Sequence, residues 1–115
     1  READGLAMSS RNSYLSGEER RQALCLRQSL QIATRYIGSG ILSAAKIKEE
    51  VIKLIESLSN TKIDYVTFCN PCTLQEVENI DGETLLALAV YVGNTRLIDN
   101  ILISPETLRK EYSST

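Results

Sequence analysis

The first half of the chain has apolar residues at helical spacing. Between residues 17 and 38 they recur every three or four positions, with arginines and glutamines between them, which predicts a first amphipathic helix. Ser16 and Glu19 have the spacing of a capping box at its start, and Gly38-Ser39-Gly40 is expected to end it. The predicted buried positions of this helix are Ala23, Leu26, Leu30, Ala33 and Ile37.

A second helical pattern extends from about Ser43 to Leu58. Lysines and glutamates fill the positions between its apolar residues, which is typical of the solvated face of a surface helix. The segment Ser59-Asn60-Thr61 is expected to end it. The predicted buried positions are Ala44, Ile47, Val51, Leu54, Ile55 and Leu58.

The pattern then changes to that of β-structure. Ile63–Phe68 is rich in β-branched and aromatic residues and predicts a strand that Pro71 terminates. Glu83–Val92 is compatible with a helix by composition, but its continuous apolar run between two turn signals favours a central strand. Gly93-Asn94 predicts a two-residue type II′ hairpin loop, after which Thr95–Leu102 returns antiparallel.

The remaining segments complete the predicted fold. Thr73–Val77 predicts a short irregular connection, and Ser104-Pro105 predicts a last helical turn, while residues 112–115 are expected to fray. Together the elements predict an α+β domain in which two main helices pack on one face of a small three-stranded antiparallel sheet.

The composition narrows the class of protein. A chain of 115 residues with 43% hydrophobic and 24% charged residues is typical of one globular domain with its own core. Because the net charge is −2 and the basic residues are dispersed, we expect no nucleic-acid partner. No apolar run reaches the roughly 18 residues of a membrane span, and no signal-peptide pattern is present, which favours a cytoplasmic protein without a membrane partner. The chain begins at Arg1 without an initiator methionine, so we expect it to be part of a longer protein.

The three cysteines do not indicate a redox or metal site. An odd count argues against a disulfide framework and for a reducing compartment. Cys69 and Cys72 have C-x-x-C spacing, but a predicted strand precedes them, whereas a redox pair needs a helix N-terminus. Because the chain has no histidine and only one further cysteine, a zinc site lacks ligands. We interpret this segment as a loop that contains two thiols and predict no metal site.

The stretch Asp4–Ser16 has the chemistry of an anion-binding loop. Ser9 and Ser10 offer hydroxyl and backbone N–H donors, and Arg11 offers a planar fork of donors that matches phosphate oxygens. An ordinary polar loop that caps the next helix is the alternative, and the residues alone favour it, since such strings are common in loops. No paired carboxylates and no Cys/Ser–His arrangement accompany the stretch, which argues against self-contained acid–base or nucleophilic machinery.

Three stretches, in their order and spacing, resemble the pantothenate synthetase (pantoate–β-alanine ligase) family. They are Arg1–Asn12 with the nearby Tyr14-Leu15-Ser16, then Ile63–Val66, and finally Thr95–Asn100. The first and last are highly specific, and together the three span nearly the whole chain. The resemblance implies that residues 1–16 form an ATP loop and inter-domain linker and that residues 17–115 form a C-terminal lid domain. The family's Rossmann-type N-terminal domain is absent from this sequence.

The resemblance implies an ATP-dependent ligase. The family joins pantoate to AMP with loss of pyrophosphate, and β-alanine then displaces AMP to give pantothenate. Its Met-Ser-Ser-Arg stretch is the counterpart of the Lys-Met-Ser-Lys-Ser loop of class I tRNA synthetases. The implied ATP-binding residues are Met8 near the adenine and Ser9, Ser10 and Arg11 on the phosphates. Arg11 is also the implied catalytic residue, because it would neutralise charge on the departing pyrophosphate.

The resemblance also implies partners. ATP and Mg²⁺ are expected to be held mainly by the N-terminal domain, which would be the partner of this chain in a homodimeric enzyme that binds pantoate and β-alanine. The fragment alone is expected to be inactive. Asp4 and Asn12 are expected to shape the loop, and Gly5 to act as a hinge. Arg96 and Asp99 are expected to join the hairpin to the helices. A non-catalytic α+β interaction module is the alternative function.

Overall fold

The structure, a computed structural model, describes residues 1–108. A short 3₁₀ helix (Ser10–Tyr14) is followed by three α-helices and three strands, and a helical turn at 105–108 follows the last strand. The arrangement confirms the predicted α+β fold, and residues 112–115, expected to fray, lie outside the described part. The bounds are α1 Gly17–Ala23, α2 Cys25–Gly38, α3 Ala44–Glu56, β1 Thr61–Cys69, β2 Thr84–Val92 and β3 Thr95–Ile103.

The three strands form one antiparallel sheet in the order β1-β2-β3, so β2 is central as predicted. β2 pairs with β3 along its whole length, from Thr84 opposite Ile103 to Val92 opposite Thr95. Its pairing with β1 is interrupted by a bulge between Ile63 and Tyr65. Alternate residues of β2 face the helices and are buried, namely Thr84, Leu86, Leu88, Val90 and Val92.

The hairpin between β2 and β3 has the predicted two-residue loop. Gly93 has φ +60° whereas Asn94 does not have a positive φ, which is the pattern of a type II′ turn. The Gly93 N–H donates to the Asn60 carbonyl at 2.9 Å. The hairpin tip favours glycine for its backbone angle, and a Cβ on Gly93 would also displace the Glu19 carboxylate of α1.

The predicted first helix is wrong in one respect, because it is divided at Leu24 into α1 and α2. The Leu24 N–H donates to the Arg21 carbonyl three residues back, at 3.4 Å, which is the tighter 3₁₀ pattern. At the start of α2 the buried Ser29 hydroxyl donates to the Cys25 carbonyl at 2.6 Å, a contact that bends helices. The apolar periodicity continues across the break, so both helices still present one buried stripe.

The predicted ends of the first helical segment and the predicted start of the second are confirmed, whereas α3 ends at Glu56, two residues before the predicted Leu58. The Glu19 N–H donates to the Ser16 hydroxyl at 3.1 Å and the Ser16 N–H donates to the Glu19 carboxylate at 3.0 Å, which completes the capping box. α2 ends at Gly38, where the N–H groups of the next turn donate back to carbonyls of the last turn in a Schellman arrangement. Ser43 is the N-cap of α3, and its hydroxyl accepts the Lys46 N–H at 3.4 Å.

The core lies between α2, α3 and the helix-facing side of the sheet. Each large side chain that is fully buried contributes about 1.5–3 kcal/mol to folding. Leu6, which lies before the first helix, is also buried against this core with 3% of its surface exposed. The largest fully buried side chains are Phe68, Leu26, Leu30, Ile37, Ile47, Ile55, Ile80, Leu86, Leu88, Ile103, Val51 and Val90.

Candidate functional site

The four predicted site residues, Met8–Arg11, form one continuous exposed stretch. It lies between two buried residues, Leu6 with 3% and Asn12 with 7% of the surface exposed. Met8 itself is 75% exposed. The structure therefore brings the predicted residues together as one short projecting segment between two buried residues. We call Met8–Arg11 the exposed loop.

The serines of the exposed loop organise the 3₁₀ helix that follows. The Ser9 hydroxyl accepts the Arg11 N–H at 3.1 Å, so Ser9 is the N-cap of that helix. The Ser10 carbonyl accepts the Ser13 hydroxyl at 3.0 Å, whereas the Ser10 hydroxyl makes no hydrogen bond to any of residues 1–108. Each loop hydroxyl thus retains its proton for donation to an added acceptor.

Arg11 points toward the tip of the β2–β3 hairpin. Its Nη1 donates to the Arg96 backbone carbonyl at 3.4 Å, and in the described part of the chain no carboxylate pairs with it. Arg11 and Tyr14 face Asn94, Thr95 and Arg96 across an open hollow. The exposed loop therefore holds a cation over a polar surface depression.

Arg96, the second arginine of this hollow, is already paired. Its Nε donates to Asp64 Oδ2 at 3.0 Å, its Nη2 lies 2.9 Å from the same oxygen in an ion pair, and its guanidinium carbon lies 5.9 Å from the centre of the Tyr65 ring. The hydrogen bond to Asp64 raises the pKa of Arg96. Asp64 lies in the β1 bulge, which aims it at β3. Of the two arginines at this hollow, Arg96 is paired, whereas Arg11 has no acidic partner among residues 1–108.

The segment before the exposed loop is held by Arg20 of α1. The Arg20 guanidinium donates to Glu2 at 2.7 Å and to both oxygens of Asp4 at 3.0 and 3.2 Å. These hydrogen bonds lower the pKa of Glu2 and of Asp4 below their usual range and raise the pKa of Arg20. Both carboxylates therefore stay charged to a lower pH than ordinary carboxylates do.

Asn12 closes the base of the exposed loop. Its amide nitrogen donates to the Glu2 carboxylate and to the Ala7 carbonyl, the latter at 3.0 Å, and its backbone N–H donates to the Ser9 carbonyl at 3.1 Å. Its side-chain oxygen is buried and has no partner among the described residues. Asp4 accepts the Leu6 N–H at 3.3 Å. The prediction that Asp4 and Asn12 shape the loop is confirmed.

Gly5 lies in a hydrogen-bonded turn. Its N–H donates to the Glu2 carbonyl at 2.9 Å, and the Glu2 N–H donates to the Leu6 carbonyl at 2.8 Å. Its φ of +96° belongs to the region that favours glycine. A role for Gly5 as a hinge stays a prediction.

The predicted partners of Arg96 and Asp99 are wrong. Neither side chain joins the hairpin to α1, α2 or α3, because Arg96 pairs with Asp64 of β1 and Asp99 pairs with Arg1. The Arg1 guanidinium donates to the two Asp99 oxygens at 2.6 and 2.9 Å and to the Gly5 carbonyl at 3.0 Å. The hydrogen bond to Asp99 raises the pKa of Arg1. Asp99 lies opposite Leu88 on the buried side of the sheet, with 7% of its side chain exposed, so Arg1 compensates a buried charge at the edge of the core.

The three cysteines are free thiols. Cys25 is buried in α2, and burial raises its pKa to about 11. Cys69 is buried at the end of β1, and Cys72 is exposed in the following turn, where its N–H donates to the Asn70 side chain at 2.8 Å. Among residues 1–108 no group of three or more His, Cys, Asp or Glu side chains could hold a metal ion. In the same part of the chain, no helix is long and apolar enough to cross a membrane.

Comparison with known proteins identifies the family. The family model described as pantoate-beta-alanine ligase matches residues 1–102. Pantothenate synthetase from Syntrophus aciditrophicus is 51% identical over 106 residues, which are 92% of this chain and 37% of that protein. The Thermotoga petrophila pantothenate synthetase is 54% identical over 103 residues, which are 90% and 37% of the two proteins. The crystal structure of the Thermus thermophilus pantothenate synthetase superposes with a TM-score of 0.81 at 33% identity, over 88% of this chain and 36% of that one. The chain thus spans little more than a third of the length of the relatives it matches.

Proposed function

Because the chain belongs to the pantoate–β-alanine ligase family, we propose that it is the C-terminal lid of an ATP-dependent ligase. The complete enzyme would join pantoate and β-alanine to form pantothenate, with AMP and pyrophosphate as the other products. Residues 1–16 would serve as ATP loop and inter-domain linker and residues 17–115 as the lid. The N-terminal domain would be the partner of this chain, would mediate a homodimer, and would complete the active site.

The observation that carries this proposal is Arg11 of the exposed loop, whose guanidinium has no carboxylate partner among residues 1–108. In the first step, the pantoate carboxylate attacks the α-phosphorus of ATP, and the bond from that phosphorus to the bridging oxygen breaks. Negative charge then accumulates on the departing pyrophosphate. A guanidinium that no carboxylate neutralises in the described residues is suited to stabilise this charge, and we assign that catalytic role to Arg11.

The other residues of the exposed loop would bind the same nucleotide. Ser9 and Ser10 would donate their hydroxyl protons to phosphate oxygens, because neither proton is used within residues 1–108. The exposed Met8 thioether would pack near the adenine. This first step needs positioning and charge neutralisation more than proton transfer, which agrees with the absence of an acid–base pair in the described segment.

In the second step, the β-alanine amine attacks the acyl carbon of pantoyl-adenylate, and the bond to the AMP oxygen breaks. The lid would exclude water from this reactive mixed anhydride. Residues 1–108 do not fit a Mg²⁺ site, because Glu2 and Asp4, the carboxylates beside the loop, are paired with Arg20. The metal that accompanies ATP would be held mainly by the N-terminal domain. This chain alone would be inactive.

The proposal is tested on the full-length protein by measuring pantothenate formation from pantoate, β-alanine and ATP. We expect Arg11→Ala to lower kcat by about a thousandfold, or ~4 kcal/mol, because a well-placed arginine contributes about this much in phosphoryl transfer. Its melting temperature should stay near that of the wild type, since the Arg11 side chain makes one long hydrogen bond.

The matched control is Arg21→Ala. Arg21 is an exposed arginine of α1 that pairs with Glu18 and does not touch the loop. We expect full activity from this variant. Wild-type turnover by Arg11→Ala would contradict the role assigned to Arg11.

One observation favours the alternative of a non-catalytic interaction module. The outer side of the sheet exposes the apolar residues Ile98 and Leu102, at 54% and 55%, beside the partly exposed Tyr65. Such a surface is suited to contact with another protein. The same assay separates the two functions, because a full-length protein that makes no pantothenate would favour the interaction module.

A further inference from the structure

Arg20 contacts the residues that fix both ends of the exposed loop. We propose that it is a positioning residue for this loop, which acts through Glu2 and Asp4 to hold Leu6 and Asn12 and thereby sets where Arg11 is presented. The inference rests on the proposed function and adds to it a residue that makes no contact with Met8–Arg11.

The first connection reaches the residue before the loop. Arg20 Nε donates to Asp4 Oδ2 at 3.0 Å, and the other oxygen, Asp4 Oδ1, accepts the Leu6 N–H at 3.3 Å. The Leu6 side chain is buried in the core. Leu6, at the entry to the exposed loop, is therefore held in two ways. Its backbone N–H bonds to the carboxylate that Arg20 orients, and its side chain packs in the core.

The second connection reaches the residue after the loop. Arg20 Nη2 donates to Glu2 Oε1 at 2.7 Å, and the other oxygen, Glu2 Oε2, accepts the Asn12 amide. The same amide nitrogen donates to the Ala7 carbonyl at 3.0 Å, so it spans the base of the loop. The exit of the loop is thus oriented by the carboxylate that Arg20 holds.

The shape of the guanidinium explains why an arginine occupies this position. Its planar fork of N–H groups engages two carboxylates at once, with charge-assisted hydrogen bonds of defined direction. A lysine offers a single point of charge and would reproduce only part of this geometry. Catalysis depends on atomic placement, and a displacement of ~1 Å can cost about a hundredfold in rate. If the segment that supports the exposed loop is held less firmly, turnover should fall although no ligand contact is removed.

The test compares Arg20→Gln with Arg21→Gln in the full-length enzyme. Both variants lose an arginine and its ion pairs from α1, but Arg21 pairs with Glu18, where both side chains are exposed. For Arg20→Gln we expect kcat to fall about tenfold with KM for ATP within about twofold of the wild type, because Arg11 is displaced and not lost. Arg20→Lys should give an intermediate kcat, and Arg21→Gln should match the wild type.

A second readout needs no catalysis. Trypsin cleaves after Arg11, and cleavage of the folded protein follows the population of locally opened loop. Mass spectrometry measures the rate of this cleavage in variants whose melting temperatures match. We expect the rate to be about fivefold higher in Arg20→Gln than in the wild type and unchanged in Arg21→Gln. If Arg20→Gln does not fold, Arg20→Lys takes its place in both measurements.

The outcomes separate this inference from the proposed function. Equal kcat and equal cleavage in the two glutamine variants would overturn the inference while the function stands. Faster cleavage with unchanged kcat would also overturn it, because Arg20 would then only stabilise local structure. If the wild-type enzyme makes no pantothenate, the proposed function fails, and the positioning role fails with it whatever the cleavage rates.

Discussion

The helix–sheet layers and the N-terminal segment (residues 1–16) are held together by different forces. In the layers, side chains from α2, α3 and the sheet exclude water from one continuous core. In the segment, Leu6 is the one buried apolar side chain and Leu15 packs partly against the core, while ion pairs and hydrogen bonds of Arg1, Arg20 and Asn12 hold the rest. The residues that fold the domain and those that present the exposed loop are therefore largely separate sets.

This difference has energetic consequences. A buried leucine stabilises the fold by about 1.5–3 kcal/mol, whereas an exposed ion pair contributes about 0–1 kcal/mol. We therefore expect the segment to open locally at a much lower free energy than the domain unfolds. The Arg1–Asp99 pair is the exception, because its carboxylate is buried beside the core.

The largest expected effect comes from a cavity in the layers. Leu88→Ala removes a fully buried side chain from the central strand and should lower the free energy of unfolding by about 2–5 kcal/mol, measured by urea denaturation. Leu102→Ala, at an exposed position of the neighbouring strand, should change it by less than about 0.5 kcal/mol. Tryptic cleavage after Arg11 under native conditions should be the same in both variants. Faster cleavage in Leu88→Ala alone would mean that the core also controls the loop.

A smaller effect is expected where the two regions meet. Gly93→Ala forces alanine into a positive φ and displaces the Glu19 carboxylate that caps α1, so it should cost about 1–3 kcal/mol in unfolding free energy. Gly82→Ala is the matched control, because no atom lies within 4 Å of its added Cβ. Thermal denaturation of both variants measures the difference. Equal melting temperatures would show that the hairpin tip tolerates a side chain.

The smallest expected effect on stability comes from pH and concerns the segment alone. Arg20 lowers the folded-state pKa of Glu2 and Asp4, the Asn12 amide acts on Glu2 in the same direction, and the charge of Asp4 opposes the shift of Glu2. Since the folded pKa values lie below the unfolded ones, these contacts stabilise the segment fully above the ordinary carboxylate range. That contribution is lost as the pH falls through the folded values.

NMR titration of the side-chain carboxyl carbons measures these two pKa values directly. In Arg20→Gln both midpoints should rise toward ordinary values. Midpoints that do not move would mean that Arg20 does not hold these carboxylates in solution.

The layers could be predicted from the sequence because their signals are periodic and local. The apolar run of β2 and the Gly93-Asn94 turn predicted the central strand and its hairpin correctly. The break at Leu24 could not be predicted, since it changes a backbone hydrogen bond without interrupting the apolar stripe. Periodicity reports which face is buried and does not report small changes in helical hydrogen bonding.

The supports of the exposed loop could be predicted only in part. Asp4 and Asn12 were correctly expected to shape it, but the bridging role of Arg20 depends on contacts across 16 and 18 positions of the chain. Asp99 was expected to join the hairpin to the helices, but the pairing register places it opposite Leu88, and its partner is Arg1. Long-range charge pairing has no fixed spacing in sequence, so its partners emerge only from the fold.

The hydrogen bond from Arg11 to the Arg96 carbonyl determines how easily the Arg11 guanidinium can change to another acceptor. Arg11 is held by a neutral main-chain carbonyl at 3.4 Å, a weak bond whose acceptor is the same whatever side chain occupies position 96. A phosphate oxygen is charged and forms roughly twice as strong a bond with a guanidinium. Transfer of Arg11 from the carbonyl to a phosphate would therefore be favourable and would break no buried contact. In the proposed enzyme, the hairpin tip would hold this cation between reaction cycles and would release it without breaking a buried contact.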